Sequence, residues 1–442
     1  MTGTRHFCQK GKGAFFDWPK VTDLFPFHTA GAVYYRSWPI GETQDVLKER
    51  WGNLKASPVV GRGKLFKESR DRKVRYIVNN PDMPGYGEPA INAVKATSND
   101  PTTIRYGFRS FDQQYAFYDF RLGDYIRPSL KHVRSEKQLF FVCPDSLVCG
   151  LGPIMAASAN IPDQHFFRGS FGGKDVIPLY RDAAGTEPNV TAGLLAALGK
   201  EHGSTPSAED LAAYVYALLG GQSYTKRFWN ELETPGPRVP MTKDGAIFAG
   251  AVKMGRKLIW LHTYAARFQD ANQGDEVPNG KATTIKGVSS VPAHYPAEYA
   301  YDPAKREIKV GDGRFGPVAP EVWDFEVSGL KVVQSWLGYR MKKRAGKKSS
   351  PLDEIRPERW TARMSDEFLE LLWVLEATLA MEPELAAVLD KVVSGPCFAA
   401  TDLPQPTAAE RKAPGATSAA GDLLALMEDD DAAADEDDGD DD

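Results

Sequence analysis

The chain has 442 residues, 42% of them hydrophobic and 11% aromatic, enough to bury a large core as one big domain or two to three ordinary ones. No apolar run approaches the ~20 residues of a membrane helix, and no apolar stretch follows the opening Met1-Thr-Gly-Thr-Arg5-His6, so the expected location is the cytoplasm. The net charge of -5 divides unevenly: from Asp422 onward there are twelve acidic residues and no basic one, which leaves +7 on residues 1–421 and permits a polyanionic partner without demanding one.

In chain order, residues 1–14 read as an extension and residues 15–402 as the folded body. Up to about residue 200 the body predicts strands and loops, with extended patterns such as Val74-Arg75-Tyr76-Ile77-Val78 and Phe117-Tyr118-Asp119-Phe120-Arg121 broken by Pro and Gly. Helices follow. Ser207-Ala-Glu-Asp210 forms a capping-box start for a helix carrying Leu211, Val215, Leu218 and Leu219. Thr242 opens an amphipathic segment with Ile247, Ala251, Met254, Leu258, Leu261 and Ala265 on one stripe. Tyr299 to Val310 alternates around Asp302-Pro303 as a β-hairpin. Further helices are expected from Val332 to Arg344 and from Ser365 to Val392, the latter broken at Pro383. The predicted fold is therefore α+β, with a β-rich N-terminal half, a helical C-terminal half and, over 403–442, a disordered acidic tail. Within that tail the apolar Leu423-Leu424-Ala-Leu426-Met427 reads either as a docking peptide or as part of a solubilising tail.

Motifs for chemistry fail one by one. Asn80-Pro81-Asp82-Met83 lacks the second proline and the aromatic of an adenine-methyltransferase grip, and Cys149-Gly150-Leu151-Gly152-Pro153 lacks the third glycine of a cofactor loop, so both read as turns. A phosphate loop is absent. Pro162-Asp163 and Glu307-Ile308-Lys309 carry the letters of a metal nuclease, but far apart and with the triplet already explained by the hairpin. The seven histidines never pair at metal-ligand spacing, and His262 reads as a hydrogen-bonded helix residue. Cys8, Cys143, Cys149 and Cys397 are scattered and expected to be reduced thiols.

What recurs is arginine and lysine interleaved with aromatics. Arg62 to Arg75 holds seven basic and two acidic residues; Tyr106 to Asp112 and Tyr125 to Arg134 follow; Arg340 to Lys348 holds six basic residues and no acidic one. Guanidinium forks suit phosphate oxygens and guanine edges, whereas lysines supply mainly salt-dependent charge.

Several segments carry a family likeness. Trp18-Pro-Lys-Val-Thr-Asp23-Leu-Phe-Pro26-Phe, Arg36-Ser-Trp38-Pro39, Val46 to Trp51, Arg109-Ser-Phe-Asp112 with Tyr118, Arg127-Pro128, Arg238 to Asp244, Gly255 to His262, and Pro320-Glu321-Val-Trp323 with Gly329, Trp336 and Arg340 together span roughly residues 15 to 400. In these the chain resembles the C-terminal specificity domain of type ISP restriction-modification enzymes, found also in related adenine methyltransferases. The resemblance implies a phage-defence module that reads double-stranded DNA without activity of its own. Its implied partners are an adenine methyltransferase and helicase or nuclease modules, in which S-adenosylmethionine and ATP would reside. The expected DNA contacts are Arg36, Arg62, Lys64, Lys67, Arg70, Arg72, Arg109, Arg127, Lys131, Arg134, Arg238, Lys243, Arg340, Lys342 and Lys343, with Arg109 and Arg127 as base readers. An alternative for Arg109 is a structural ion pair with Asp112. Two rival readings stay open: a divergent methyltransferase or nuclease fragment, and an interaction protein whose acidic tail mimics DNA.

Overall fold

The structure, a computed structural model, describes residues 14–145, 147–167, 175–269, 274–343 and 350–415. The expected extension before residue 14, Arg344, Lys347, Lys348 and the tail from 416 with its apolar patch lie outside them. The architecture is the expected α+β, with helices set among small antiparallel sheets.

In the first half, β1 (Ile40–Gly41), β2 (Thr103–Arg109) and β3 (Asp112–Phe117) form a sheet in the order β1-β3-β2, and β4 (Phe140–Cys143) lies between β5 (Ala156–Ser158) and β6 (Asp175–Pro178) in a second. Helices α1 (Val21–Leu24), α2 (Gln44–Ala56), α3 (Arg62–Phe66) and α4 (Pro128–Val133) punctuate them. A helical layer follows, made of α5 (Leu194–His202), α6 (Ala208–Leu219), α7 (Gln222–Arg227), β7 (Met241–Thr242) and α8 (Gly245–His262). The four-stranded sheet of β8 (Thr283–Lys286), β9 (Tyr299–Asp302), β10 (Glu307–Val310) and β11 (Gly313–Gly316) has the order β8-β11-β10-β9. Last come α9 (Pro320–Trp323), the β12 (Glu326–Val327) and β13 (Leu330–Lys331) hairpin, α10 (Val332–Gly338), α11 (Ala362–Ser394) and β14 (Cys397–Phe398), which pairs with β7.

The β4 sheet is buried on both faces, and strand alternation decides which core each residue enters. Phe141 and Cys143 face a helical core of α6, α8 and the far half of α11, whereas Phe140 and Val142 face a second core with β2, β10 and α10. α11 likewise serves both cores: Phe368 and Leu372 pack in the second, Leu385 and Leu389 in the first. A satellite core of Trp38, Trp51, Phe66 and Phe117 forms under α2. α6 and α8 approach closely enough that a Cβ on Gly255 would fall 1.7 Å from the Ala213 carbonyl oxygen, so only glycine fits there.

Several expectations hold. Ser207 and Asp210 make the capping box of α6, and β9 pairs with β10 with Ile308 opposite Tyr301. His262 bridges three helices: its Nδ1 accepts from the Tyr216 hydroxyl at 2.7 Å, and its Nε2 meets Thr378 Oγ1 at 2.8 Å. Because the Thr378 hydroxyl donates to the Val374 carbonyl, Nε2 is the protonated nitrogen.

Others are corrected. α8 starts at Asp244, whose carboxylate accepts from the Ala246 and Ile247 amides, because Thr242 is held in β7 opposite Cys397. Val74–Val78 is turn and coil, with a single bridge from Val78 to Tyr86, and only Phe117 of the second extended run lies in a strand. α10 ends at Gly338. α11 runs unbroken past Pro383, since Leu385, Leu389 and Val392 stay buried beyond it and each buried side chain offsets ~1.5–3 kcal/mol of the ~3 kcal/mol a proline costs. Residues 403–415 belong to the body: Leu403 is buried, Arg181 donates to the Glu410 and Lys412 carbonyls, and Glu410 accepts from the Ala192 amide.

Two stability predictions follow from these contacts. Arg340 and Asp112 form a buried two-pronged ion pair, at 2.8 and 3.1 Å, joining the turn after α10 to β3. Arg340→Met leaves a buried carboxylate without its cation and should cost about 3–5 kcal/mol in denaturant unfolding, with part of the loss restored by adding Asp112→Asn. Burial lowers the His262 pKa to about 3. The unfolded chain therefore binds a proton that the folded chain refuses between about pH 3 and 6.5, so stability should fall through that window on acidification, by up to ~1.4 kcal/mol per pH unit. Denaturant melts of the wild type and His262→Gln across that range should show the shallower dependence in the variant.

Candidate nucleic-acid interface

The structure divides the arginines and lysines expected at DNA into two groups. Arg36, Arg62, Arg72, Arg127 and Arg340 are buried, and each guanidinium makes hydrogen bonds within the protein. Arg36 pairs with Asp124 at 3.0 Å and donates to the Leu122 and Lys67 carbonyls. Arg62 donates to four carbonyls, those of Lys55, Ser57, Ile91 and Val94. Arg72 donates to Phe120 and Gly123, and Arg127 to Gly31 and to the Gln164 side chain. Loops in this region leave carbonyls without ladder partners, and a fork of five donors satisfies several at once. These five are therefore corrected from DNA contacts to fold-holding groups.

Arg109, half-buried, is held as well: it donates to the Phe108 carbonyl, to Asp163 at 3.3 Å and to the Tyr339 hydroxyl at 3.2 Å, and lies over the Phe108 ring. Its carboxylate partner is thus Asp163, while Asp112 takes Arg340. Arg238 and Lys243 sit elsewhere, by the helical core, where Arg238 donates to the Trp18 carbonyl and Lys243 pairs with Asp402.

The remaining candidates are at the surface. Lys64, Lys67, Arg70, Arg134, Lys342 and Lys343 are exposed, and Lys131 is half-buried on α4. Contacts connect several of them into a ridge. Arg70 donates to the Tyr125 hydroxyl at 3.0 Å, the Tyr125 ring meets the 41%-exposed Tyr35 edge to face, and Arg127 lies over Tyr125. Arg127 also stands at the N-cap position of α4, which carries Lys131 and leads to Arg134, over Tyr118. Through Gln164 the ridge reaches His165.

His165 is the residue that sequence reasoning missed. Asp163 Oδ1 accepts from its backbone amide at 2.7 Å and from its Nδ1 at 3.1 Å, while the Asp163 carboxylate is anchored from behind by Tyr106 and Arg109. Burial pushes the Asp163 carboxyl upward, but the His165 hydrogen bonds and the Arg109 charge outweigh it and hold it below the usual carboxylate range. A charged acceptor fixes the proton on Nδ1 and turns Nε2 outward on a ring 37% exposed. His28 repeats the arrangement with Asp175, at 3.2 Å and 33% exposed. The extended stretch between them bridges Thr29 to Val176 and Ala32 to Asp163, so both pairs are mounted beside the β4 sheet. The legible signal was Asp163-Gln-His165, where a carboxylate two residues ahead of a histidine can accept from both its amide and its ring.

The nuclease letters do not assemble: Asp163 lies against β2, and Glu307, on β10, pairs with Arg314. Among the described residues, metal-competent groups of three or more His, Cys, Asp or Glu are absent, and helices long and apolar enough to cross a membrane are absent too.

Three solved structures share the fold. A DrdV–DNA complex matches 85% of this chain and 36% of its own, at 15% identity and TM-score 0.56. A nuclease-deletion mutant of the type ISP restriction-modification enzyme LlaGI, in complex with a DNA substrate mimic, matches 86% of this chain and 29% of its own, at 14% and 0.52. The ATP-dependent type ISP restriction-modification enzyme LlaBIII, bound to DNA, matches 83% and 24%, at 16% and 0.54. This chain thus spans about a third or less of those polypeptides, and no curated protein matches it. The model of the type ISP C-terminal specificity domain matches from residue 23 to residue 371, and by that match over most of its length the chain belongs to this family.

Proposed function

We propose that this chain is the DNA target-recognition module of a restriction-modification system, acting in the cytoplasm and presenting duplex DNA to an adenine methyltransferase with helicase or nuclease modules. The observation that carries this reading is the family match over residues 23–371, and the DNA-bound state of the three fold neighbours supports it. The surface chemistry agrees. Lys64, Lys67, Arg70 and Arg134 supply phosphate contacts, the exposed Tyr35 ring and the half-buried Tyr125 ring supply stacking area, and His165 offers a fixed hydrogen-bonding tip to a base edge. S-adenosylmethionine and ATP belong to the partner modules.

Duplex binding should weaken with salt, with a log-log slope of about -0.9 for each phosphate neutralised. Lys67→Ala, Arg70→Ala and Arg134→Ala should each flatten that slope by roughly 1 and weaken cognate and random duplexes alike. His165→Ala should cost about 1 kcal/mol on the duplex selected from a random library and far less on random DNA. Arg109→Ala should behave oppositely, lowering unfolding stability by about 2–3 kcal/mol while the folded fraction keeps its sequence preference. Salt-independent binding, or none at low salt, counts against the proposal.

Calorimetry with S-adenosylmethionine separates this reading from that of a methyltransferase fragment. The purified chain should give no binding heat; saturable uptake of the cofactor would return the assignment to an enzyme.

A further inference from the structure

A groove of about 760 Å³ opens between α7, α9, β12 and α11, on residues other than those of the ridge. Its far wall is rigid. Gly329 donates to the Leu151 carbonyl and Ser328 to that of Pro153, and a Cβ on Gly152, at φ +85°, would fall 1.9 Å from the Glu326 carbonyl oxygen. On the near side Glu382 of α11 accepts from the Gln222 amide at 2.9 Å and locks the start of α7. The groove is therefore formed in advance by elements that both cores hold.

Its lining has one chemical bias. Among the described residues that line it, Glu321, Asp324, Glu326 and Glu382 place four carboxyl groups around it against a single cation, Lys226. Apolar surface lies between them: Leu151 is 59% exposed and Trp229 43% exposed, with Phe325 and Leu379 beneath. Pro383 has no N–H for the Leu379 carbonyl, so α11 leaves this acceptor without its ladder donor at the groove. Burial raises the Glu382 carboxyl above the usual carboxylate range, and a cation seated beside it would favour its charge. Acceptors and apolar patches repel a polyanion and attract donors carried on aliphatic stems.

The geometry points to a docking groove for a cationic amphipathic segment of a partner protein, leucine-like side chains on Leu151 and Trp229 and lysine or arginine heads among the four carboxylates. The exposed apolar pair inside a ring of like charge is what such a segment neutralises and covers. DNA reading by the ridge and protein docking by the groove are then separate functions of one chain.

The probe is a fluorescent synthetic helix of leucine and lysine, with its glutamate-for-lysine twin as control. Anisotropy should show saturable binding of the cationic peptide and none of the twin. The double variant Asp324→Lys/Glu326→Lys and the single variant Trp229→Ala should each weaken it about tenfold or more, with melting temperature and duplex affinity unchanged. A benzophenone on the peptide should crosslink near Leu151 and Trp229. Equal affinity for both variants and wild type, or crosslinks confined to residues 416–442, would overturn the proposal by assigning the peptide to the acidic tail. Loss of duplex affinity in the groove variants would also overturn it, by making the groove part of the DNA face.

Discussion

Buried guanidinium groups that donate to loop carbonyls are the interaction on which the first half of this fold depends. Between Ser57 and Pro101 regular structure is limited to α3 and a turn of 3-10 helix at Ile91–Ala93, yet Phe66, Val78, Ile91 and Val94 are buried there. A core under loops strands backbone acceptors, and each one left unsatisfied costs about 1–3 kcal/mol. Arg62 meets four such carbonyls, and Arg50 ties those of Trp38 and Ile40 to that of Ile355, more than three hundred residues away. Lysine, with three donors on a compact head, cannot span such a set. The same burial changes what the net charge means. Arginines consumed inside the protein add to the formal +7 of residues 1–421 without presenting a hydrogen-bonding fork to a duplex, so the cationic surface is narrower than the composition implies.

The β4 sheet and α11 carry the second constraint, because each is shared by two cores. Strand alternation sends Phe141 one way and Phe140 the other, and thirty-three continuous helical residues let α11 leave one core and enter the next. Loosening either core therefore loosens the other. The strip bearing His28 and the segment bearing His165 are bridged to this platform, and the two buried aspartates, Asp175 and Asp163, sit where strip and platform meet. Side chains mounted on doubly buried structure lose little freedom on binding, so under the proposed function this mounting favours discrimination between sequences over bare adhesion.

How much of this was legible in the sequence depended on whether the deciding interaction was local. Ser207 with Asp210, and the alternation from Tyr299 to Val310, decide their elements within a few residues, and both stand in the structure. Pro383 misleads because the packing that keeps α11 straight comes from distant partners, and Thr242 misleads because Cys397, also distant, claims it for a strand. The basic clusters were visible, but their division was not. Arg70 and Arg72 are two residues apart, one exposed beside Tyr125 and one buried on the Phe120 and Gly123 carbonyls, and nothing in the spacing distinguishes them. The ion pair of Arg109 was anticipated with the wrong carboxylate, since local separation favours Asp112 and only the tertiary fold brings Asp163 alongside.

The surface chemistry then sorts by partner. On the ridge, cations stand beside rings whose hydroxyls are tied to neighbours, as Tyr125 is to Arg70 and Asp71, so both charge and stacking surface are offered in fixed positions. In the groove, the carboxylates stand on α9 and its C-cap, β12 and α11, elements that the cores hold in place, and they surround apolar side chains that a duplex has no means of covering. A field positive at one site and negative at the other orients a polyanion before contact, and it leaves the negative site free for a protein while DNA is bound. Under the proposed function the chain holds DNA and a neighbouring polypeptide at once, and keeping the two chemistries on separate residues serves that role, because a shared surface would make the two partners competitors.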